Sequence, residues 1–261
     1  MKSRGFKHLL NIDANAKTVK GQKRGYMTAV LYLAPWKVSG INVCPFAEQA
    51  GCAATCLNTA GRGGIASKRF RTAAGLMPDN TAQRARIART RFFHEDRDGF
   101  MTLLQREIEL FIGRAERKGL TPVVRLNGTS DIVWERIPVR SAYPVASFGA
   151  TIFDVFPDLQ FYDYTKIAKR FGRPRPDNYH LCLSYSLASR KYAATCTRAH
   201  EEHGASLIVV VRDDEVKQFH VDLGGIDGDE HDLRFLDPDG SMVYLKAKGR
   251  ARKETNGFVI N

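Results

Sequence analysis

The chain has 261 residues, 43% of them hydrophobic and 26% charged, with 40 Lys and Arg against 28 Asp and Glu. That length and composition exclude a disordered or fibrous chain and allow a core that needs no disulfide. The net charge of +12 attracts polyanions, so nucleic acid or a nucleotide is the expected partner, with a merely solubilising basic surface as the alternative.

Residues 1–25, with "KTVKGQKRG", read as a basic N-terminal arm. They lack the apolar stretch and small-residue cleavage site of a secretory signal. No apolar run reaches the ~18 residues of a membrane helix, so the expected setting is the cytoplasm, with no membrane partner. "YMTAVLYLAP" (26–35) predicts a strand stopped by Pro35, and the glycine- and alanine-rich loop "NVCPFAEQAGCAATCLNTAGRG" (42–63) follows it. Residues 81–118 carry apolar residues at helical spacing and predict one long helical stretch ended by Gly119.

"TPVVRLNGTSD" (121–131) predicts a strand running into a polar turn. Strands are also predicted for "LQFYDYTK" (159–166), "NYHLCLSYS" (178–186) and "SLIVVVRDD" (206–214), with helices at "IAKRFG" and 189–204. "LDPDGSMVYL" predicts two short strands about a turn. The alternation gives an α/β fold with buried parallel strands: a partial or full (βα) barrel over 26–261, extended by a C-terminal β-hairpin region at 233–261.

Such barrels build their sites at the carboxyl ends of the strands. Polar residues stand there: Arg125, Asn127, Thr129 and Asp131, then Asp163 and Lys166, then Ser184 and Ser186. Asp131, Asp163 and Lys166 are the candidates for proton transfer or electrostatic catalysis. Arg125, Asn127, Thr129, Ser184 and Ser186 are the candidates for cofactor binding. Capping of a following helix explains one of the residues near Thr129 equally well. By strand parity His180, Cys182, Ser184 and Ser186 share one face, expected to line a polar cavity, and Arg125 and Asn127 share another.

Cys44, Cys52 and Cys56 fall within thirteen residues of a chain with five cysteines. In a reducing compartment such clustering points to metal ligation. The C-x7-C-x3-C spacing matches neither the paired knuckles of structural zinc nor ferredoxin runs. Three thiolates on a [4Fe–4S] cluster leave one iron open to substrate or cofactor. The acid-rich "IDGDEHD" (226–232) reads as a cation site or a turn, and "GRGG" (61–64) as a weak phosphate loop. "ASKRFR", "RARIARTR" and "KAKGRARK" add basic patches, with Arg84, Arg86 and Arg89 as candidate phosphate contacts.

The place of the cysteine loop, after the first strand of a βα series, resembles that of radical SAM enzymes. The resemblance implies S-adenosylmethionine as a second cofactor. The cysteine spacing departs from that family's C-x3-C-x2-C, and no glycine-glycine-acid motif is present. Several motifs together, "SGINVCPFAEQAGCAATCLNTAGRG", "RLNGTSDIVWE", "FYDYTK", "NYHLCLSYS", "IDGDEHDLRFLDPDGSMVYLKAKGRAR" and "NGFVIN", resemble the tailed-phage and prophage family catalogued as gene product 88. That resemblance implies a mobile-element origin and expression in the bacterial host cytoplasm. Two functions are thus expected in competition. One is an iron–sulfur enzyme acting on nucleic acid or a nucleotide; the other is a non-catalytic DNA- or host-protein-binding protein with a structural zinc or iron–sulfur loop.

Overall fold

The computed structural model describes residues 4–13, 15–60, 80–140 and 149–261. The chain divides into two compact units, residues 1–43, 66–163 and 175–180 in the first, and residues 44–65, 164–174 and 181–261 in the second.

The first unit holds β1 (Leu10–Ile12), α1 (Ala16–Gln22), β2 (Tyr26–Leu31), the single turn α2 (Trp36–Ser39), α3 (Thr81–Glu95), α4 (Arg97–Glu116), β3 (Thr121–Arg125), the single turn α5 (Ile152–Val155) and most of β4 (Gln160–Thr165). β2 is buried along nearly its whole length because it has β1 antiparallel on one side and β3 parallel on the other. β3 in turn pairs with β4 in parallel from Val123. Pro122 is tolerated in β3 because it lies before the β4 ladder begins. The crossover from β2 to β3 is made by α3 and α4. Phe100, Leu104, Ile108, Phe111 and Ala115 form the buried stripe of α4.

Within residues 4–25 the basic N-terminal segment supplies β1 and α1, and the Glu107 carboxylate on α4 accepts the backbone N–H groups of Leu9 and Leu10, each at 2.9 Å. The expected single helical stretch is broken at Asp96, which closes α3 and caps α4 by accepting the Gly99 N–H at 2.8 Å.

The second unit contains most of β5 (Tyr179–Tyr185), then α6 (Arg190–His203), β6 (Leu207–Val211), α7 (Asp214–Asp222), β7 (Ile226–Asp227), β8 (Met242–Lys246) and β9 (Val259–Ile260). β6, "LIVVV", is flanked in parallel by β5, β8 and β9, which explains its continuous apolar run. Ser189 caps α6 at its start, and Gly204 ends it in the left-handed conformation at φ 62°.

The fold is therefore α/β with parallel strands, as the alternation requires. Among the described residues neither set of strands is closed: β1 pairs with β2 only and β7 with β8 only. The expected C-terminal hairpin does not form. Arg234–Leu236 is a 3-10 turn, and β8 runs parallel between β6 and β7. Arg234 is buried with its guanidinium on Asp237 (3.0 Å) and on the His231 carbonyl (3.0 Å), so its segment folds onto itself instead of pairing with β8.

Candidate functional site

In the second unit the cysteine loop is a series of tight turns. Backbone bonds run from Ala47 N–H to Cys44 O, Ala50 to Phe46, Cys52 to Ala47 and Thr55 to Cys52. Gly51 has φ 71°, and a Cβ there would stand 2.4 Å from that of Ala188, so the turn admits glycine alone. Two side chains pin the turn from outside. Ser186 Oγ donates to the Ala50 carbonyl at 2.8 Å, and Asn256 Nδ2 donates to that of Gly51 at 3.0 Å. Ser186 thus serves the loop backbone.

Cys52 is buried, and Cys44 and Cys56 are half-buried. The Cys52 thiol donates to the Ala47 carbonyl at 3.6 Å, while Cys56 Sγ accepts the Asn58 N–H at 3.5 Å. Among the described residues no three His, Cys, Asp or Glu side chains stand together as a metal-binding group. In donor chemistry the loop nevertheless fits a thiolate-held metal: it offers three sulfurs, and an N–H bond to sulfur is what stabilises a ligating thiolate. Cys52, a donor here, must lose its proton to ligate.

The other two cysteines are core. Cys182 packs with Ile208 and Val243, so its thiol sits among apolar side chains and does not line a polar cavity. Burial pushes the Cys196 thiol up to about 11, the opposing contact from Tyr192 being weaker. The stretches 61–64 and 66–71 lie outside the described residues.

In the first unit the end of β3 forms a closed polar nest. Asp163 on β4, 1% exposed, accepts the Asn127 N–H at 2.7 Å, Asn127 Nδ2 at 3.3 Å and the Tyr179 hydroxyl at 2.9 Å. Arg125 Nε lies 4.0 Å away. Asn127 Oδ1 accepts from Ser130 Oγ (2.8 Å), Ile132 N–H (2.9 Å) and Trp134 Nε1 (3.1 Å). Strand parity rightly put Arg125 and Asn127 on one face, and both reach Asp163. Tyr179 and Trp134 were not singled out in the sequence, where aromatic residues read as core; only their polar tips join the nest, beside Ser130, which reads in the sequence as a candidate helix cap.

The turn is closed by Gly128 N–H on Leu31 O, Thr129 Oγ1 on Leu33 O (2.6 Å) and Asp131 N–H on Val43 O (2.7 Å). Gly128 has no space for a Cβ, which would meet Leu31 O at 2.7 Å. Asp131 is buried, whereas Lys166 and Ser184, in the second unit, are half-buried. The Ser184 carbonyl accepts the Tyr192 hydroxyl at 2.6 Å.

The acid-rich segment takes its cations from the chain itself. Lys217 Nζ lies 3.0 Å from Asp227, 3.5 Å from Asp229 and 3.8 Å from Asp214. Lys246 pairs with Asp214, and Lys248 with Asp229 at 2.8 Å. Burial alone would lower the Lys217 ammonium, but the hydrogen bond and charges of its three acids outweigh it and hold it above the usual lysine range. The hydrogen bond from Lys246 holds Asp214 below the usual carboxylate range.

The arginines of α3 do not act together. Arg89 is buried, donates to the His8 carbonyl at 2.8 Å and faces the Phe6 ring. Burial lowers it to about 10, with Glu107 opposing. Arg86 lies over Tyr32 at 4.9 Å. Arg84 and Arg91 remain exposed. A joint phosphate surface of Arg84, Arg86 and Arg89 is therefore not what α3 presents.

Among the described residues no helix is long and apolar enough to cross a membrane. Comparison with curated proteins and with solved structures finds no match. The sequence model of the family described as Gene product 88 matches residues 8–261, and the chain belongs to that phage gene-product family.

Proposed function

We propose that this is a phage iron–sulfur protein of the host cytoplasm. Cys44, Cys52 and Cys56 would hold a [4Fe–4S] cluster, and the protein would act as an enzyme on nucleic acid or a nucleotide. One observation carries the reading: a three-thiol loop whose carbonyls are pinned by Ser186 and Asn256 beside the carboxyl end of β5. The pinned turns fix the path of the loop, and binding a cluster would turn its three sulfurs, which do not form one group in this structure, toward a common centre. The bound cluster would supply an open iron and an electron. The finer, radical SAM-like reading makes S-adenosylmethionine the ligand of that iron, with the half-buried Lys166 and Ser184 of the same unit as candidate polar partners.

Anaerobic reconstitution followed by iron, sulfide and zinc analysis tests this. The expected result is a brown protein with about four irons per chain, the iron count of the proposed cluster type. Cys44→Ala, Cys52→Ala and Cys56→Ala should each abolish the colour, and Cys196→Ala should keep it. Zinc at one equivalent, with no iron uptake, rejects the cluster. If the loaded protein, reduced with dithionite, leaves S-adenosylmethionine uncleaved, the radical SAM-like part falls and the cluster stands. A second reading, a non-catalytic nucleic-acid- or host-protein-binding protein with a structural metal loop, is favoured by the exposed cations of 248–253. Zinc binding would support it.

A further inference from the structure

The segment after β8 presents an unusual density of charge on a stiff support. Lys248, Arg250, Arg252 and Lys253 are all exposed, within six residues that include the 3-10 turn Gly249–Lys253. A 3-10 turn repeats every three residues, so Ala251 and Glu254 fall on one side, and both are buried. Arg250 and Lys253 share an outer row, with Arg252 beside it.

The turn cannot shift easily. Ala251 sits in an apolar cluster with Ala247 and Val259. Arg212 spends its guanidinium on the turn's backbone, donating to the carbonyls of Ala251 (3.3 Å), Arg252 (2.9 Å) and Glu254 (2.6 Å) and to Asn261 Oδ1 (2.9 Å). The Glu254 carboxylate is taken up by the N–H groups of Asn256 and Val259. The buried acid therefore faces inward and the cations outward. Lys248, just before the turn, pairs with Asp229; the exposed cations of the turn itself are Arg250, Arg252 and Lys253.

We propose that the turn Gly249–Lys253 is a contact surface for the phosphodiester backbone of nucleic acid, with Arg250, Arg252 and Lys253 as its phosphate contacts. Three residues of 3-10 rise separate Arg250 from Lys253 by about 6 Å, so the two long side chains of this row can reach phosphates of one strand together. Holding the backbone in advance lowers the ordering cost of binding. The surface deepens the partner half of the proposed function and rests on it; the cluster plays no part in it.

The test uses the full chain and a fluorescein-labelled duplex oligonucleotide, with anisotropy followed between about 50 and 200 mM salt. Each phosphate contact contributes about 0.9 to the slope of log affinity against log salt. The R250A/R252A/K253A variant should therefore lose about 2–3 units of slope at an unchanged thermal midpoint. Removing the same number of charges from the end of α1 and the turn that follows it, in Lys20, Lys23 and Arg24, should leave the slope close to wild type. R250K/R252K should keep it too, because the contacts are to charge.

Equal losses from the two triple variants overturn the surface and leave only the general field of the chain. A loss in R250K/R252K as deep as in the alanine variant also overturns it. Failure of the wild-type chain to bind any duplex or single strand at low salt removes the nucleic-acid reading itself, and the surface with it.

Discussion

Two clusters of ionisable groups, one in each unit, solve the problem of a carboxylate off the surface in different ways. Around Asp163 the acid is fully enclosed, and neutral donors carry most of the load: a backbone N–H, an amide and a phenol, with Arg125 at the edge of reach. Around Lys217 the acids lie at the rim, and cations answer them, Lys217, Lys246 and Lys248 against Asp214, Asp227 and Asp229. The depth of burial decides the solution. A buried charge is tolerated only if every lone pair is satisfied. At the rim, water shares the work and geometry can be loose. The first cluster is therefore a fixed part of the fold, and the second is an adjustable electrostatic patch beside the proposed phosphate surface.

The largest effect that would break this contrast is at Asp163. Asp163→Ala leaves several buried donors without their acceptor and should cost roughly 3–5 kcal/mol, seen as a lower denaturant midpoint at unchanged slope. A cost under ~1 kcal/mol would show that water enters the nest.

Lys217→Met comes next. It removes the shared cation of three acids and should cost about 1.5–3 kcal/mol near neutral pH, the range for hydrogen bonds to charged groups.

The same variant sharpens the comparison through pH. The Lys217 value is raised by folding, so its contribution is whole below the ordinary lysine value of ~10.4. It is lost as pH climbs through the raised value. The gap between wild type and variant should thus be flat through neutral pH and close only in strong alkali. Asp214 is lowered by folding, so its contribution is present above ~3.9 and lost as pH falls through the depressed value. The smallest effect is at the exposed pair Arg140–Asp98, 3.3 Å apart. Arg140→Ala should change stability by about 0.5 kcal/mol or less.

Strands β2 to β6 were legible because β-branched and apolar runs bounded by Gly, Pro and Asp leave little choice of local structure. α6 was legible from its cap and its terminal glycine. α7 was missed, although Asp213 caps it, because its cap and first residue fall inside 206–214, the segment that reads as a strand. The parallel seat of β8 was missed for another reason. A turn signal such as "DPDG" announces a reversal of the chain but not which strand receives it. β8 went to β6, whose apolar run needed cover on both edges.

Within the candidate sites, parity correctly grouped Arg125 with Asn127. The same rule assigned Cys182 to a polar face, and there it failed, because the neighbours of a strand face come from strands remote in sequence. Nothing local marks Lys217 or Arg212 as different from any other surface cation. Apart from Asp214, three residues before Lys217, their partners arrive from 10 to 49 residues away.

One consequence follows from Glu107, whose carboxylate covers the outward N–H groups at the start of β1. β1 is an edge strand, and an open edge is a template on which other chains can add strands. A buried hydrophobic neighbour would leave those N–H groups available. A carboxylate takes them and also presents negative charge to an approaching carbonyl. The same side chain that fastens the amino-terminal segment thus guards against self-assembly. Glu107→Ala is the variant whose concentrated solutions should turn cloudy first on storage.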